Sequence, residues 1–349
     1  MIKRPKNFNI EKTKFDFKGF SEKLKILHSI SEHTIKNIPL VIFANKNLLI
    51  AKGKDIQVEA KFNHYLGDIA ISIDKLKGIF DHISDNTRLK IEDNTLIIKS
   101  GKFRSKLPEI VQEREYFIGP QNRSNDWYDL PDDFFQALEL CSISVSKTTN
   151  LNWILNNYSI NQNQMITTDQ KRCTVFEFKD YDFGGKFSLT KDLVKLLLEL
   201  KPNKFSTSDN FLEFKNDDYY IKTSIIQEEF PELSPGLFQG QDKIIVSGID
   251  LLNAIEKVKL FSGDDVDKSG SIKIEVKKSK MIITADNSFG EAKETLKVNA
   301  DCEFIKFVNP DYLIDILRVL KKRDIEIILS EDKFIFREFN YVHVIALMA

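Results

Sequence analysis

The side chains that most often do catalytic chemistry are scattered along this sequence. The five histidines, at positions 28, 33, 64, 82 and 343, form no pair at the spacing of metal ligands. Nucleophile-elbow, dinucleotide-binding and P-loop motifs do not occur. Residues Asp265–Gly270 resemble the start of a calcium-binding EF-hand loop, but Val276 stands where its bidentate glutamate belongs. We therefore expect no catalytic residue, no metal site and no cofactor.

Basic side chains recur on segments with helical periodicity, and their natural chemistry is the neutralisation of phosphate groups. They lie opposite the apolar stripes, at Lys23, Lys25, Lys75, Lys77, Lys191, Lys195, Lys257, Lys259, Arg318, Lys321, Lys322 and Arg323. An ordinary solvated helix face is the plain alternative for each of them. Recurrence on equivalent helices weakens that alternative and favours a surface for an anionic polymer.

A pattern of predicted secondary-structure elements that occurs three times along the chain positions these residues. Its clearest part is an apolar stripe with the i, i+3, i+4, i+7 spacing of an amphipathic helix, which starts at Leu76, Leu193 and Leu313. Each stripe precedes two alternating segments around a short polar turn, at Asp93-Asn94, Asp209-Asn210 and Glu331-Asp332. This combination predicts a β-hairpin. An earlier helix is predicted from Phe20, Asp132 and Ile249.

The repeat predicts three domains of about 115 residues each. Polar linkers separate them, and the boundaries are residues 1–119, 125–238 and 243–349. Each domain has two helices and many strands. The predicted fold class is α+β, with the helices packed on antiparallel sheets.

Composition sets limits on the class of protein. The chain has 349 residues with 51 Lys+Arg and 52 Asp+Glu, so its formal net charge of −1 argues against gripping nucleic acid by bulk charge alone. The hydrophobic fraction of 42% excludes global disorder. Three cysteines without a CxxC pair favour a reducing compartment, and no apolar stretch has the length of a membrane helix. We expect an intracellular protein.

Several short segments, in order along the whole chain, resemble the bacterial β sliding clamp, the processivity subunit of DNA polymerase III. The segments are Ser100–Lys102 with Leu107-Pro108, Thr167–Arg172, Phe230–Leu233, Thr284–Ala292, Phe307–Leu313 and Tyr341-Val342. Each similarity alone is weak. Together they agree with the threefold repeat, which was found independently.

The resemblance implies a fold and a function. Two three-domain chains close head to tail into a homodimeric ring, with helices around the hole and sheets outside. Such a ring encircles double-stranded DNA without sequence preference, and it tethers the replicative polymerase, the clamp loader and other factors. Weak attraction between helix-borne cations and phosphates would permit sliding. Non-enzymatic action in the cytoplasm, at the nucleoid, is implied as well.

Matched positions carry over three sets of site residues. The implied peptide-binding pocket between domains two and three comprises Leu155, Thr168, Gln170, Lys171, Arg172, Cys173, Pro231, Leu237, Asn309, Tyr312, Val342, Val344, Ala346 and Met348. The implied dimer interface comprises Ser105, Leu107, Leu260 and Phe261. The residues with an implied DNA contact are Lys36, Trp153 and all the basic helix residues named above except Lys259. Without the resemblance, core packing would be the interpretation of Leu155, Pro231 and Val344.

The sequence departs from the family pattern at the pocket. Gln170 replaces the usual glycine, Cys173 replaces a larger apolar residue, and the tail from Val344 lacks the family's final motif. Ser105 is small where a bulky interface residue is common. A diverged clamp of a phage or a distant bacterium would fit these changes, and its pocket would prefer a different peptide.

Two other functions stay open on the sequence alone. The first is an interaction scaffold that keeps the fold and the peptide pocket but does not load on DNA. The second is an enzyme built on repeated domains, which no constellation of residues supports.

Overall fold

The computed structural model describes most of the chain. The described residues are 15–32, 39–43, 47–53, 55–62, 66–110, 124, 126–146, 153–226, 230–263, 270–320 and 324–348. Four residues with a predicted DNA contact, Lys36, Lys321, Lys322 and Arg323, lie outside these ranges. The side chain of Trp153 lies outside the description too.

Six α-helices occur in the described ranges. They are α1 (Phe17–Glu32), α2 (Ile73–Phe80), α3 (Phe134–Cys141), α4 (Lys191–Leu200), α5 (Gly248–Val258) and α6 (Pro310–Leu320). Local chemistry explains several starts: the Ser72 and Ser247 hydroxyls accept backbone N–H groups at the beginnings of α2 and α5, and Asn309 does so for α6. The two helices predicted for each repeat are confirmed.

Strands make up most of the remaining structure. They are β1 (Pro39–Phe43), β2 (Leu48–Lys52), β3 (Ile56–Lys61), β4 (Ile69–Ser72), β5 (Thr87–Glu92), β6 (Thr95–Ser100), β7 (Phe103–Pro108), β8 (Tyr128–Asp129), β9 (Asn157–Asn161), β10 (Gln164–Thr168), β11 (Arg172–Glu177), β12 (Lys186–Thr190), β13 (Lys204–Thr207), β14 (Phe211–Lys215), β15 (Tyr219–Ser224), β16 (Asp242–Ser247), β17 (Ile272–Lys277), β18 (Lys280–Asn287), β19 (Gly290–Ala300), β20 (Phe304–Val308), β21 (Asp324–Leu329), β22 (Lys333–Glu338) and β23 (Tyr341–Ala346).

Strand order repeats three times. The orders β4-β1-β2-β3, β12-β9-β10-β11 and β20-β17-β18-β19 all place the last strand of a set beside its first. A three-stranded antiparallel meander follows the second helix of each repeat: β5-β6-β7, β13-β14-β15 and β21-β22-β23. The predicted hairpins are confirmed as the first two strands of these meanders. In the first, Asp93 and Asn94 both have positive φ, the backbone that a two-residue hairpin turn favours.

Strand pairing also joins consecutive repeats. β15 pairs with β3 in an eight-stranded sheet, and β23 pairs with β11 in a twelve-stranded sheet. The backbone groups at these edges are thereby satisfied. The meander of one repeat thus continues the four-stranded set of the repeat before it.

Contacts between Cα atoms group the chain into two compact units. Unit 1 comprises Met1–Leu130 and Lys195–Ile225, and unit 2 comprises Pro131–Val194 and Ile226–Ala349. A division by contacts differs from a division by repeats, because paired strands join one repeat to the next. The division into three domains stays a prediction.

Apolar side chains from the helices fill the core of each unit. In unit 1, α1 buries Phe20, Leu24 and Leu27 along one stripe, and Phe20 packs on Phe62 and Phe80. In unit 2, α5 and α6 pack against each other and bury their apolar stripes in the same way. In the part of the chain that the structure describes, no helix is both long and apolar enough to span a membrane.

Candidate functional site

A tight turn between β10 and β11 forms one wall of the candidate site in unit 2. The Thr168 hydroxyl donates to the Arg172 carbonyl over 2.7 Å and accepts the Gln170 N–H over 3.1 Å. Asp169 Oδ1 accepts the backbone N–H groups of Lys171 and Arg172 over 3.0 and 2.7 Å. Gln170 has a φ of 73°, in the left-handed region that glycine tolerates best. Side-chain hydrogen bonds therefore hold the turn that glycine forms readily.

Arg172 fastens this turn to α6. Its Nε and Nη2 donate to Asp169 Oδ2 over 2.9 and 2.8 Å, and Nη1 donates to Asp315 Oδ2 over 2.8 Å. The guanidinium also lies over the Tyr312 ring, 4.3 Å from its centroid. Burial and the neighbouring Asp169 carboxylate raise the pKa of Tyr312 above its ordinary value. The arginine is buried and its charge is engaged within the protein, so it shapes the wall of the site.

The neighbouring residue, Cys173, points to the other face of the sheet because side chains alternate along a strand. There Cys173 and Val344 pair across β11 and β23, as do Val175 and Val342. This face carries an apolar cluster, formed by Ile166, Cys173, Val175, Ile328, Ile335, Val342 and Val344 with Phe230, Leu233, Leu237 and Phe238. We call this set the apolar cluster. Burial raises the pKa of the Cys173 thiol to about 12, so it packs as an uncharged group.

The other residues predicted to line the pocket differ in their exposure and in their contacts. Leu155 is buried and Pro231 is exposed, and neither is part of the apolar cluster. Asn309 caps α6. The backbone N–H of Ala346 donates to the Lys171 carbonyl over 2.8 Å.

The end of the chain is fastened to β20. The Met348 N–H donates to the Phe307 carbonyl over 2.8 Å, and the Met348 side chain is 43% exposed. The tail therefore lies beside the turn and leaves one apolar side chain accessible.

Sequence reasoning missed several residues of this site. Phe230 and Leu233 come from an irregular segment, and Phe238 ends the short 3₁₀ helix Pro235–Phe238 that follows it. The available signal was the four large apolar residues, two Phe and two Leu, among residues 230–238. Asp315, the second partner of Arg172, is 143 positions away in sequence and left no local signal.

A buried polar network lies on the same face of the sheet as Arg172, beneath the site. The Thr174 hydroxyl lies 2.8 Å from His343 Nδ1 and 2.6 Å from the Ser144 hydroxyl. The Tyr341 ring lies parallel to the His343 imidazole. Burial, with a smaller contribution from Arg172, lowers the pKa of His343 to about 3. The imidazole is therefore neutral at physiological pH and part of the core.

The basic residues predicted to contact DNA fall into two groups. Most are engaged with other protein groups: Lys77 with Asp81, Lys257 with Glu294, Arg318 with Glu256, Lys191 with the Ser146 carbonyl, and Lys23 with Asp218 and the Tyr219 ring. Lys25 and Lys75 are exposed on α1 and α2. Lys195 is exposed on α4 but also interacts with another group of the protein.

The residues predicted at a dimer interface lie on two elements. Ser105 and Leu107 are on β7, where Leu107 is already buried within its own chain. Leu260 is 78% exposed and Phe261 follows it, packed near Gly290 at the start of β19. Phe289, 74% exposed at the same turn, was missed by the sequence analysis. Exposed large apolar side chains at one place mark a surface for contact.

Residues 238–340 match the family described as DNA polymerase III beta subunit, C-terminal domain. Solved bacterial sliding clamps have the same arrangement of elements over nearly the whole chain. The chain has the sliding-clamp fold. The resemblance seen in the sequence is confirmed at this level.

Three solved clamps illustrate the similarity. The DNA polymerase sliding clamp of Bacillus subtilis is 17% identical, with a TM-score of 0.82 over 95% of this chain and 97% of that one. The DNA polymerase III subunit beta of Pseudomonas aeruginosa is 15% identical, with a TM-score of 0.79 over 95% and 98%. The sliding clamp of Bartonella birtlesii, solved bound to griselimycin, is 16% identical, with a TM-score of 0.81 over 96% and 98%. A search of curated proteins found no match.

Proposed function

We propose that this chain is a DNA sliding clamp, a homodimeric ring that encircles double-stranded DNA and tethers a replicative polymerase. Its role is topological and not enzymatic, and it acts in the cytoplasm, where bacterial DNA is replicated. The sliding-clamp fold and the family match at residues 238–340 support this proposal. The three predicted domains are its repeating units.

Ring closure is supported by one observation, the pattern of strand pairing between repeats. The last strand of a meander pairs with the last strand of the preceding four-stranded order, as β15 does with β3 and β23 with β11. β7 ends its three-stranded sheet, and within the described ranges residues 290–297 of β19 pair with β18 alone. A second copy supplies the missing partner for each edge, so head-to-tail pairing of β7 with β19 closes a ring.

Apolar side chains beside these edges strengthen the proposed interface. Leu260 and Phe289 are exposed beside the start of β19, and Phe103 is 43% exposed on β7. Burial of large apolar side chains is the main stabilising contribution at such contacts. Ser105 lies between Phe103 and Leu107 on the same face of β7.

The DNA-facing surface is proposed to attract phosphates only weakly. Lys25 and Lys75 are exposed on their helices, whereas other cations predicted to contact DNA, such as Lys77 and Lys257, are paired with carboxylates. A ring holds DNA by enclosure, so weak and screened attraction favours sliding. The net charge of −1 is compatible with this mechanism.

Short linear peptides of the polymerase, the clamp loader and other partners are proposed to bind the turn at Thr168–Arg172 and the partly buried members of the apolar cluster, which are Val175, Phe230, Leu233, Leu237, Phe238 and Val342. An apolar surface with a few fixed polar groups suits a peptide with hydrophobic anchors. Cys173, Leu237, Val342 and Val344 are the predicted pocket residues that share this cluster.

Threading onto end-blocked DNA tests encirclement without a clamp loader. Duplex DNA is attached to beads at one end and incubated with the protein, and the free end is then capped with streptavidin. A cap added after incubation should retain the protein, whereas a cap added before incubation should exclude it. Equal retention with and without the cap would contradict the ring.

The alternative scaffold function is favoured by one observation, the pairing of many helix-borne cations with carboxylates. The variant Lys25→Glu/Lys75→Glu distinguishes the two functions. A clamp should lose retention on capped DNA while its peptide binding is unchanged. A scaffold never shows cap-dependent retention, and its peptide binding is also unchanged.

A further inference from the structure

One face of the meander β5-β6-β7 in unit 1 carries a dense set of basic side chains. Arg88, Lys99 and Arg104 stand directly opposite one another on three adjacent strands. In the next row, Lys90 and Lys106 flank Ile97. Residues opposite each other on neighbouring strands share a face. We call Arg88, Lys90, Lys99, Arg104 and Lys106 the basic face, and all five are exposed.

Few of these charges are neutralised within the protein. Lys90 pairs with Glu92, which is the acidic residue of this face. Among the described residues, Arg88, Lys99 and Arg104 take part in no salt bridge. Neighbouring strands are about 4.8 Å apart, and like charges directly opposite each other destabilise a sheet. The row therefore opposes folding, and an anionic partner would relieve the repulsion.

The equivalent faces of the other two meanders show which kind of segment covers such a face. Counted from the hairpin turns, the positions of Ile97 and Lys99 correspond to Glu213 and Lys215 in the second meander and to Ile335 and Arg337 in the third. Both of these faces are covered by a segment of the chain itself.

The covering contacts are specific. Over the second meander, the backbone N–H of Ser124 donates to Glu213 over 2.8 Å, and the Trp127 ring lies 3.7 Å from the Lys215 ammonium. Over the third, Phe230, Leu233, Leu237 and Phe238 pack on the buried strand residues of the apolar cluster, and Arg337 donates to the Phe238 carbonyl over 2.9 Å. In each case the chemistry of the cover matches that of the face beneath it.

The positive charge of the basic face indicates which kind of segment can cover it. The first fourteen residues of the chain carry five basic residues and Glu11, so they would be repelled. The basic face also lacks an aromatic side chain among its described members, whereas single-stranded nucleic acid binds on aromatic platforms. We propose that the basic face binds an extended acidic peptide segment of a partner protein. The site lies on unit 1 and does not depend on the apolar cluster or on ring closure.

Fluorescence anisotropy with defined probes tests this proposal. The probe is a labelled peptide of five Glu-Ser repeats, and its neutral control has five Gln-Ser repeats. Binding of the acidic probe should weaken steeply between about 50 mM and about 300 mM salt, because exposed charges are screened. The variant Arg88→Gln/Lys99→Gln/Arg104→Gln should bind about tenfold more weakly, since each exposed ion pair contributes about a factor of two.

A matched variant controls for bulk charge. Lys277, Lys278 and Lys280 are exposed together at the turn between β17 and β18, and Lys277→Gln/Lys278→Gln/Lys280→Gln changes the net charge equally. This variant should bind the acidic probe like the unaltered chain. Equal weakening by both variants would overturn the proposal, as would equal binding of the acidic and neutral probes.

Two further measurements separate the remaining outcomes. A single-stranded oligonucleotide of about 15 nucleotides should bind no more tightly than the acidic peptide. Tighter binding that the Arg88 triple variant abolishes would assign the face to nucleic acid and refute the peptide. Thermal unfolding of that variant should be unchanged or raised, because repulsion is removed, and a lowered midpoint would mean that the row has a structural role instead.

Discussion

Replacement of Arg172 by alanine should loosen the wall of the candidate site. The side chain is 2% exposed and forms ionic hydrogen bonds to Asp169 and Asp315, whose side chains are 12% and 23% exposed. Removal of one partner of a buried ion pair typically costs about 3–5 kcal/mol. The two carboxylates retain some water, so the expected loss in free energy of unfolding is lower, about 2–3 kcal/mol.

Urea unfolding at neutral pH, followed by circular dichroism, measures this loss. Arg337→Ala is the matched control, because Arg337 is exposed and donates one hydrogen bond to the Phe238 carbonyl in the same unit. Its expected cost is below about 1 kcal/mol. Arg172→Lys keeps the charge without the planar fork and should fall between the two. Equal losses for Arg172→Ala and Arg337→Ala would refute the idea that Arg172 fastens the turn to α6.

Three other results are expected. The folded-state pKa of His343, about 3, lies below its ordinary value of 6.5, so the contribution of His343 to stability is full above pH 6.5 and falls by about 1.4 kcal/mol per pH unit as the pH drops towards 3. In the variant His343→Asn, the free energy of unfolding measured in urea should depend less on pH between about pH 6.5 and 4.5. An unchanged slope would contradict the assignment. Gln170→Gly should raise the free energy of unfolding by about 1 kcal/mol because it relieves a positive φ, and a decrease would show that the turn is not strained. Leu260→Asp/Phe289→Asp should convert the proposed dimer into a monomer in light scattering, whereas Phe339→Asp, at a site 94% exposed, should not; loss of the dimer in both variants, or in neither, would argue against the interface.

Periodicity and turn chemistry were sufficient to predict the regular elements. The i, i+3, i+4, i+7 stripes fixed the helices from Leu76, Leu193 and Leu313, and polar turns such as Asp93-Asn94 fixed the hairpins. These signals are local, so one sequence is enough to reveal them.

The arrangement of the site was less predictable. The resemblance predicts one pocket that includes Arg172 and Cys173, and this stays a prediction. The opposite directions of their two side chains follow only from the strand pairing. The acidic partner on α6 and the irregular segment that covers the apolar cluster depend on tertiary structure. No spacing in the chain encodes such contacts directly.

The pairing of β23 with β11 has a consequence for anyone who dissects the chain. The segment that matches the family, residues 238–340, ends before β23, and a fragment cut there would leave β22 without its neighbour. A fragment extended to the C-terminus would keep β23 but expose the edge that β11 satisfies. It would also lose Phe230 and Leu233, which cover its apolar cluster. Either piece would present a bare strand to its own copies, so expressed fragments should aggregate.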